Sequence, residues 1–440
     1  MIISSIRTAG LGDTSYVVAH EGVGLVIDPQ RDLDRFETEL ESVEAELGLV
    51  LETHLHNDYL SGGRYLAKNH AAPYVLPAAS GAAFAYTPAF HHEDLSVGAL
   101  TVRPIHTPGH TPEHTSYLVL VDGVQAALFS GGSLLVGSAG RTDLLGADRA
   151  RQLARLQYQS VTRLAGLGDE VELYPTHGEG SFCASTAAGR SASTIGIERR
   201  TNPVLQHDNA DEFADSLLSG LAPYPSYYSH MGTMNLLGPP PEPDHALPRL
   251  AVGDIPEEAT VIDIRSKAEF ASGHLAGSIG IPTRDDTGVW TGWIVAFGTP
   301  IVLVAGTNQD ATEISVQLAR IGYDDVLGVV TDLGETELVS YRTVDVGEFV
   351  DALDAGGLQM IDVRSHAEWE TGHVEGSKHR YLPYIPGSPL GLDRDREMWI
   401  ACESGQRATI AAGLVEEAGY RPVVLSEGGV PEILGHKRDL

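Results

Sequence analysis

The sequence predicts an α/β protein, and three observations support that fold class. Short apolar runs typical of strands alternate with stretches of helical periodicity along most of the 440 residues. The second half holds a tandem repeat, because a segment that begins at Val261 recurs at Met360, an offset of 99 residues. A proline-rich segment at 236–250 separates this half from the first. Together these features predict one large N-terminal domain followed by two smaller domains with parallel sheets.

Composition restricts the classes of partner. The chain has 60 acidic and 29 basic residues and a formal net charge of −31, so nucleic acid and anionic lipid surfaces would be repelled. No stretch approaches the roughly 18–20 consecutive apolar residues of a membrane span, and the first residues lack the pattern of a secretory leader. We therefore expect a cytoplasmic protein with small-molecule substrates and no nucleic-acid or membrane partner, which could form homo-oligomers.

The N-terminal domain, predicted at residues 1–240, mixes two kinds of pattern. Strand-like runs such as TSYVVAH, GVGLVIDP and LGLVLETHLH dominate its first 132 residues. Helical periodicity occurs in DLDRFETELESVEAELG and in DRARQLARLQYQSVTRLAGLG. This mixture predicts two sheets with helices on their outer faces.

Histidines gather near the ends of predicted strands in this domain. The residues concerned, with one aspartate, are His54, His56, Asp58, His106, His110, His114 and His177. Loops at strand ends converge on a cleft, and side chains two residues apart in an extended segment, such as His54 and His56, point to the same side. Imidazoles that converge in this way predict a metal centre.

Four segments resemble, in their order and spacing, the metallo-β-lactamase fold and in particular its persulfide dioxygenase branch. They are THLHNDYLSGG, HTPGHTPEHTSY, LFSGGSLLVGSAGRTDLLG and YPTHGEGSFC. The resemblance implies an αββα sandwich and a single iron held by two histidines and one aspartate, which oxidises glutathione persulfide to sulfite with O2. The two histidines would be His54 and His110. Arg141 matches a family position beside the glutathione site, where an arginine can bind a carboxylate with two hydrogen bonds.

The sequence departs from the family pattern at the anionic ligand. Gly132 stands where the family carries the aspartate, and Tyr59 replaces the last histidine of the broader hydrolase motif. Three histidines remain to hold one Fe2+, or alternatively one Zn2+, per chain. These predicted ligands are His54, His56 and His110. Further candidates for the metal or its surroundings are Asp58 and His177, and Glu179 could supply a substitute carboxylate.

Three interpretations of the N-terminal domain stay open. The first is an iron-dependent persulfide dioxygenase with an altered ligand set. The second is a metal-dependent thioester hydrolase similar to glyoxalase II. In the third, this domain has no catalytic activity and the chain is a non-oxidative sulfur relay.

The two repeats resemble rhodanese domains, which carry sulfane sulfur as a cysteine persulfide. The resemblance runs through VIDIRSKAEFASGHLAGS, MIDVRSHAEWETGHVEGS and CESGQRAT. It implies a cysteine-less repeat at residues 248–338 and a cysteine-bearing repeat at 342–440. Aligning the glycine–tyrosine pair of each repeat places Ala305 opposite Cys402 and Asp310 opposite Arg407. The cysteine-less repeat therefore cannot form a persulfide there, and we expect it to act as a spacer, docking surface or scaffold.

Cys402 is the predicted nucleophile, one of only two cysteines in the chain. It ends a hydrophobic strand, and a loop leads from it into a helix, so that backbone N–H groups and the helix N-terminus would stabilise a thiolate. The thiolate is the form that attacks sulfane sulfur. Arg407 would hold an anionic donor such as thiosulfate. The predicted substrate-binding loop consists of Glu403, Ser404, Gly405 and Gln406.

The whole chain resembles a fusion of a persulfide dioxygenase with rhodanese units, which implies a role in sulfide metabolism and detoxification. Its small-molecule partners would be a persulfide of glutathione or of another thiol, thiosulfate and sulfite. Joining the two activities in one chain would raise the local concentration of the shared intermediate.

Overall fold

The computed structural model describes residues 1–178, 180–184, 193–387 and 390–436. It divides into two compact units, of which the first contains residues 1–244 and 319–322 and the second contains residues 245–318 and 323–440. Each unit has its own sheets.

The first unit is built on two six-stranded sheets. The first sheet follows the chain in the order β1 (Ile2–Thr8), β2 (Asp13–His20), β3 (Val23–Ile27), β4 (Glu46–Leu51), β5 (Tyr74–Pro77) and β6 (Thr87–Ala89). The later strands are β7 (Leu95–Val97), β8 (Leu100–His106), β9 (Thr115–Val121), β10 (Val124–Gly131), β11 (Leu134–Leu135), β12 (Ser138–Ala139), β13 (Glu172–Pro175) and β14 (Ser193–Thr194). The second sheet has the order β14-β13-β10-β9-β8-β7, and β11 pairs with β12 alone.

Within the described residues the first unit has six α-helices, some of which cover the outer faces of its two sheets. They are α1 (Asp34–Ser42), α2 (Gly63–Asn69), α3 (Ala147–Leu164), α4 (Ile195–Thr201), α5 (Ala210–Ser219) and α6 (Tyr228–Leu237). Buried side chains of α1 and α2 pack on the first sheet, and those of α3 and α5 pack on the second. The predicted αββα sandwich is confirmed.

Alternation along β2 shows how the sequence produces these layers. Tyr16 and Val18 belong to the apolar cluster between the sheets, together with Phe129 of the second sheet. Val17 points the other way and belongs to the cluster that contains Phe36 of α1. A strand that is covered on both faces must be apolar at consecutive positions, which explains the unbroken hydrophobic run.

One predicted helix is shorter than its periodicity indicates. The helical pattern runs over residues 32–48, but α1 ends at Ser42 and the chain enters β4 at Glu46. Glu44 adopts a φ of 51°, a left-handed conformation that reverses the chain. Burial of the following apolar residues in the sheet therefore overrides the helical propensity of the glutamates.

The second unit contains two parallel sheets, one for each repeat. Its strands are β15 (Thr260–Asp263), β16 (Ile279–Gly280), β17 (Ile301–Val304), β18 (Val326–Val330), β19 (Arg342–Val344), β20 (Met360–Asp362), β21 (Lys378–His379), β22 (Glu397–Ala401) and β23 (Arg421–Leu425). The sheet orders are β16-β15-β17-β18 and β19-β23-β22-β20-β21. The helices that follow α6 are α7 (Lys267–Ser272), α8 (Thr287–Ile294), α9 (Thr312–Arg320), α10 (Val346–Ala355), α11 (His366–Thr371), α12 (Gln406–Glu417) and α13 (Val430–His436).

The two repeats share their local hydrogen bonds as well as their order of elements. Arg364 pairs with both carboxylate oxygens of Asp362 and donates to the Gly372 carbonyl at 2.7 Å. Arg265 and Asp263 form the same pair in the cysteine-less repeat. The duplicated fold is thus confirmed, whereas the boundaries at 240, 248–338 and 342–440 stay predictions.

No helix in the described ranges is long and apolar enough to cross a membrane.

Candidate active sites

Several strand ends bring a cluster of imidazoles and carboxylates together in the first unit. His54, His56 and Asp58 lie in the loop after β4, His110 lies between β8 and β9, and His177 follows β13. All five are buried. Three groups of possible ligands have their nitrogen or oxygen atoms within 4.8 Å of one another. The groups are His54, His110 and His177; Asp28, His54 and His56; and His56, Asp58 and His177.

The hydrogen bonds fix which nitrogen of His54 is protonated. The Thr53 hydroxyl donates to Asp28 at 2.7 Å, so its oxygen must accept a hydrogen bond from Nδ1 of His54 at 2.9 Å. The Nε2 atom of His54 then carries a lone pair. It faces Nε2 of His177 at 3.4 Å.

The same argument applies to the other two rings. Nδ1 of His110 donates to the Arg141 carbonyl at 2.7 Å, and Nδ1 of His177 donates to Asp13 at 2.8 Å. Burial holds the pKa of His54, His110 and His177 below the usual value, so all three rings are neutral. Three Nε2 lone pairs therefore converge. We call these residues the imidazole triad.

Buried polar atoms without partners show that the cluster suits a cation. Within the described part of the chain, Nε2 of His110, Nδ1 of His56, Oδ1 of Asp58 and Oδ2 of Asp13 are buried and make no hydrogen bond. Buried polar groups are nearly always satisfied, and such exceptions require an explanation. A bound metal ion would explain these atoms, because metal-binding imidazoles are neutral and each is held by a hydrogen bond on its other nitrogen.

His56 differs from the imidazole triad because its Nε2 atom already has partners. It lies 3.1 Å from Glu52, 3.0 Å from the Tyr59 hydroxyl and 3.3 Å from Asp28. Burial opposes a charge on this ring, but the adjacent carboxylates outweigh it and raise the pKa of His56 well above the usual value. The sequence analysis grouped His56 with His54 and His110. The structure brings His177 to those two residues, and it also places His56 within ligand distance of His54 in a second group with Asp28, so the part of His56 in the ligand set stays a prediction.

Three of the four carboxylates in the cluster have a raised pKa. Burial raises the pKa of Asp13, Asp58 and Glu52 to about 7 in each case. Asp28 is the exception, because His56 and the hydrogen bonds from Thr53 and Thr176 lower its pKa despite burial. Asp58 also accepts a hydrogen bond of 3.5 Å from the Cys183 thiol. Glu179, another candidate carboxylate, lies outside the described residues.

Two histidines occupy the space around Gly132, the position at which the sequence resemblance implies an aspartate ligand. The N–H of Gly132 donates to Nε2 of His114 at 3.0 Å. A Cβ atom at Gly132 would overlap the ring of His110. The side chains here are thus packed around a glycine, and a carboxylate at this position would require His110 to move.

Arg141 is buried, and its guanidinium already has partners. It forms two bonds to Asp143, at 2.7 and 2.8 Å, and donates to the Phe182 carbonyl at 2.8 Å. The ring of Tyr224 stacks against it, with the guanidinium carbon 4.5 Å from the ring centre. Asp143 thus holds the place expected for a substrate carboxylate, and the Arg141 carbonyl orients His110.

Sequence reasoning missed the residues that orient the ligands, chiefly Asp13, Asp28 and Thr53. A usable signal existed for Asp28, because it follows the apolar run GLVI just as the histidine motif follows LGLVL. No comparable signal marks Asp13, which begins β2 and reaches His177 across 164 residues of sequence.

Cys402 lies immediately after β22, at the start of the loop that leads into α12. It is buried, with 1% of its surface exposed, whereas Glu403 and Ser404 are exposed. Gly405 has a φ of 79° and forms the N-terminal boundary of α12. Within the described residues, the N–H groups of Glu403, Ser404 and Gly405 donate to no assigned acceptor. The loop thus presents successive uncommitted donors next to a helix N-terminus, an arrangement that suits an anion.

Arg407 is bound by a carboxylate that the sequence analysis did not identify. Its guanidinium forms two bonds of 2.6 Å to Glu368 of α11. Burial opposes the charge of Glu368, but Arg407 and Ser365 outweigh it and lower the pKa of Glu368 to about 2. The role of Arg407 in holding an anionic donor stays a prediction, because its charge is balanced by Glu368.

The cysteine-less repeat has neither group at the equivalent positions. Ala305 is buried after β17, and Asp310 accepts a hydrogen bond from the N–H of Thr312 at 2.9 Å. The carboxylate of Glu269, the counterpart of Glu368, accepts hydrogen bonds from Ser266 in the capping box of α7.

Comparison with known proteins finds matches to two family models in the chain. The family model described as the metallo-beta-lactamase superfamily matches residues 9–177, and the rhodanese-like domain model matches 250–331 and 345–436. A metallo-beta-lactamase structure from Staphylococcus aureus superimposes with a TM-score of 0.70 at 27% identity, covering 75% of this chain and 99% of that chain.

Two curated relatives match parts of the chain. A probable metallo-hydrolase from Burkholderia pseudomallei is 30% identical over 195 residues, which cover 38% of this chain and 64% of that protein. The probable adenylyltransferase/sulfurtransferase MoeZ from Mycobacterium tuberculosis is 30% identical over 118 residues, which cover 25% of this chain and 29% of that protein. The chain therefore matches less than two thirds of the length of either relative.

We expect the imidazole triad to determine metal affinity. Replacing His54, His110 or His177 by alanine should weaken binding of a divalent ion beyond the roughly 10–100-fold that loss of an outer partner costs. Binding is measured by titration of the purified protein with Co2+ and by elemental analysis. His106→Ala is the control, since His106 contacts the Pro112 carbonyl outside the triad. Equal loss in the control would contradict the assignment.

Gly132→Ala should destabilise the first unit by about 1–3 kcal/mol, because the added methyl group overpacks against His110. The free energy of unfolding is measured with urea. Gly168→Ala serves as the matched control, since a Cβ there meets its nearest atoms at an ordinary 3.6 Å. Equal stability of the two variants would mean that His110 moves aside freely.

Glu368→Gln should remove part of the acid dependence of stability. The folded-state pKa of about 2 lies below the ordinary 4.5, so the ion pair with Arg407 stabilises the fold above pH 4.5 and is lost as the pH falls towards 2. Urea midpoints measured across this pH range should slope less steeply in the variant. Glu269→Gln removes a capping carboxylate whose pKa is lowered chiefly by the hydrogen bonds of Ser266, with a smaller contribution from Arg265, and it should change the slope less; an equal change would contradict the assignment.

Proposed function

We propose that this chain, which joins a metallo-β-lactamase domain to two rhodanese-like domains, is a sulfurtransferase that works through a persulfide on Cys402. One observation carries the proposal: Cys402 precedes a loop whose N–H groups at 403–405 have no assigned acceptor within the described residues. A carrier of sulfane sulfur needs a nucleophilic sulfur beside donors that stabilise negative charge. The similarity to a protein named as a sulfurtransferase supports the same conclusion.

The transfer step needs no redox cofactor. The Cys402 thiolate attacks the outer sulfur of thiosulfate, a new sulfur–sulfur bond forms, and sulfite leaves with the electron pair of the broken bond. Cys402 then carries the sulfur as an anionic persulfide, which the loop N–H groups can stabilise as they do the thiolate. Because Cys402 is buried, small anions such as thiosulfate suit the site better than bulky donors.

Glu368 and Arg407 would control the charge beside this step. Their paired charges cancel, so an incoming anion meets the loop donors and the helix N-terminus instead of a free guanidinium. If Arg407 binds the donor, it must exchange one of its bonds to Glu368 for a bond to the anion.

We propose that the imidazole triad holds one divalent cation in the first unit, iron or alternatively zinc. The three neutral Nε2 atoms suit either ion, and their outer hydrogen bonds fix the rings in the binding tautomer. Bound iron would supply open positions for O2 and for the sulfur of a glutathione persulfide or a related thiol persulfide. Asp58, with its pKa near 7, can accept or release a proton close to that point.

The second candidate for this unit is hydrolysis of a thioester, and the resemblance to a probable metallo-hydrolase favours it. An oxygen electrode separates the two activities. Oxygen uptake with glutathione persulfide identifies the dioxygenase, whereas thiol release from an acylglutathione without oxygen uptake identifies the hydrolase. Neither response, in protein that binds metal, would leave the sulfur relay at Cys402 as the activity of the chain.

Cys402→Ser should abolish transfer of sulfur from thiosulfate to cyanide while the fold is kept. The wild-type protein incubated with thiosulfate should gain the mass of one sulfur atom on the peptide that contains Cys402. Cys183→Ser is the matched control, because Cys183 is buried beside Asp58 of the other unit. Retained activity in Cys402→Ser would remove the basis of the proposal.

A further inference from the structure

Lys267, the first residue of α7 in the cysteine-less repeat, contacts the loop that follows Cys402 in the neighbouring repeat. Its ammonium donates to the Ser404 carbonyl at 3.1 Å and to the Ser426 carbonyl at 2.7 Å. Ser404 belongs to the loop, and Ser426 directly follows β23. The repeat that has no nucleophile thus places a charged group on the loop of the repeat that has one.

The contact joins two stretches of backbone that run close together. A Cβ atom at Gly405 would lie 2.5 Å from the Ser426 oxygen, so only glycine fits where the loop passes the end of β23. Without the lysine, the carbonyl oxygens of Ser404 and Ser426 would repel each other. The ammonium of Lys267 offsets this repulsion with two charge-assisted hydrogen bonds. Lys267 therefore holds the loop against the strand end.

Planarity of the peptide group transmits this constraint to the donors of the loop. The Ser404 carbonyl and the Gly405 N–H belong to one trans peptide and point in opposite directions. An ammonium fixed on the carbonyl oxygen therefore fixes the N–H as well, on the side away from Lys267. That N–H has no assigned acceptor within the described residues, so it remains available to an anion.

The lysine is not a requirement of the repeated fold. The equivalent position in the cysteine-bearing repeat is His366, whose side chain is 73% exposed and lies 3.2 Å from Glu370 of the same helix. His366 therefore contacts a residue of its own helix, whereas Lys267 bridges two carbonyls of the neighbouring repeat. The role of Lys267 is particular to the contact between the repeats.

We propose that Lys267 is a positioning residue for sulfur transfer at Cys402, so that the cysteine-less repeat completes the active-site loop of its neighbour. The ammonium keeps the Gly405 N–H, which shares a peptide group with the Ser404 carbonyl, available to the anionic sulfur. This inference rests on the proposed sulfurtransferase function. It gives the cysteine-less repeat a part in the reaction beyond that of a spacer.

The test compares full-length variants in the thiosulfate-to-cyanide assay. Lys267→Met should lower kcat about tenfold while the KM for thiosulfate changes less, because the N–H groups stabilise developing charge more than they bind the donor. Lys267→Arg keeps the charge and should recover most of kcat. If Lys267→Met does not fold, Lys267→Gln, which has a neutral donor, is expected to show the same loss.

His274→Gln is the matched control for damage to the contact between the repeats. His274 bonds to Glu416 at 2.8 Å, in the last turn of α12 and away from the loop. This variant should keep the wild-type kcat even where its thermal midpoint falls as far as that of Lys267→Met.

The outcomes separate this inference from the proposed function. A wild-type kcat in Lys267→Met, an equal loss of kcat in His274→Gln, or an arginine variant as slow as the methionine variant would each overturn the role of Lys267. Activity that survives in Cys402→Ser would overturn the sulfurtransferase function itself.

Discussion

Three neutral imidazoles whose lone pairs meet in a buried space are the constraint on which the first unit depends. Lone pairs repel when nothing lies between them, and burial excludes the simplest remedy, which is protonation. The surrounding groups are arranged accordingly. Asp28 compensates the charge on His56, Thr53 and Asp13 orient two rings of the triad, and the Arg141 carbonyl orients the third. These residues follow strands of both sheets, so they can meet only because the two packed sheets bring those strand ends together.

Much of the fold could be predicted from sequence, because duplication and hydrophobic pattern are local signals. The ligand set could be predicted only in part. His54 and His56 do lie together, with ligand atoms within 4.8 Å of each other in a group with Asp28, although β4 ends at Leu51 and both residues lie in the loop beyond it. Alternation of side chains no longer applies there. The loop directs Nε2 of His54 towards His177 and Nε2 of His56 towards Glu52.

At the loop around Cys402, too, features that depend on neighbouring residues could be predicted, whereas contacts from distant residues could not. The strand, the glycine and the start of α12 follow from the motif, since each depends on neighbouring residues. The partners of the loop do not. Glu368 lies 39 residues before Arg407, its partner. Lys267 belongs to the other repeat and lies 137 residues before Ser404. Such contacts cannot be predicted from the repeated motif, because the motif is alike in both repeats while the residues around it differ.

The glycine at 132 has a consequence for how this protein can change. His110 fills the volume that a side chain at 132 would need, so introducing an acidic residue there would disturb a ring that the triad depends on. A carboxylate ligand for a metal in this cluster would have to come from another position, such as Asp28 or Asp58, whose oxygens lie within 4.8 Å of histidine nitrogens.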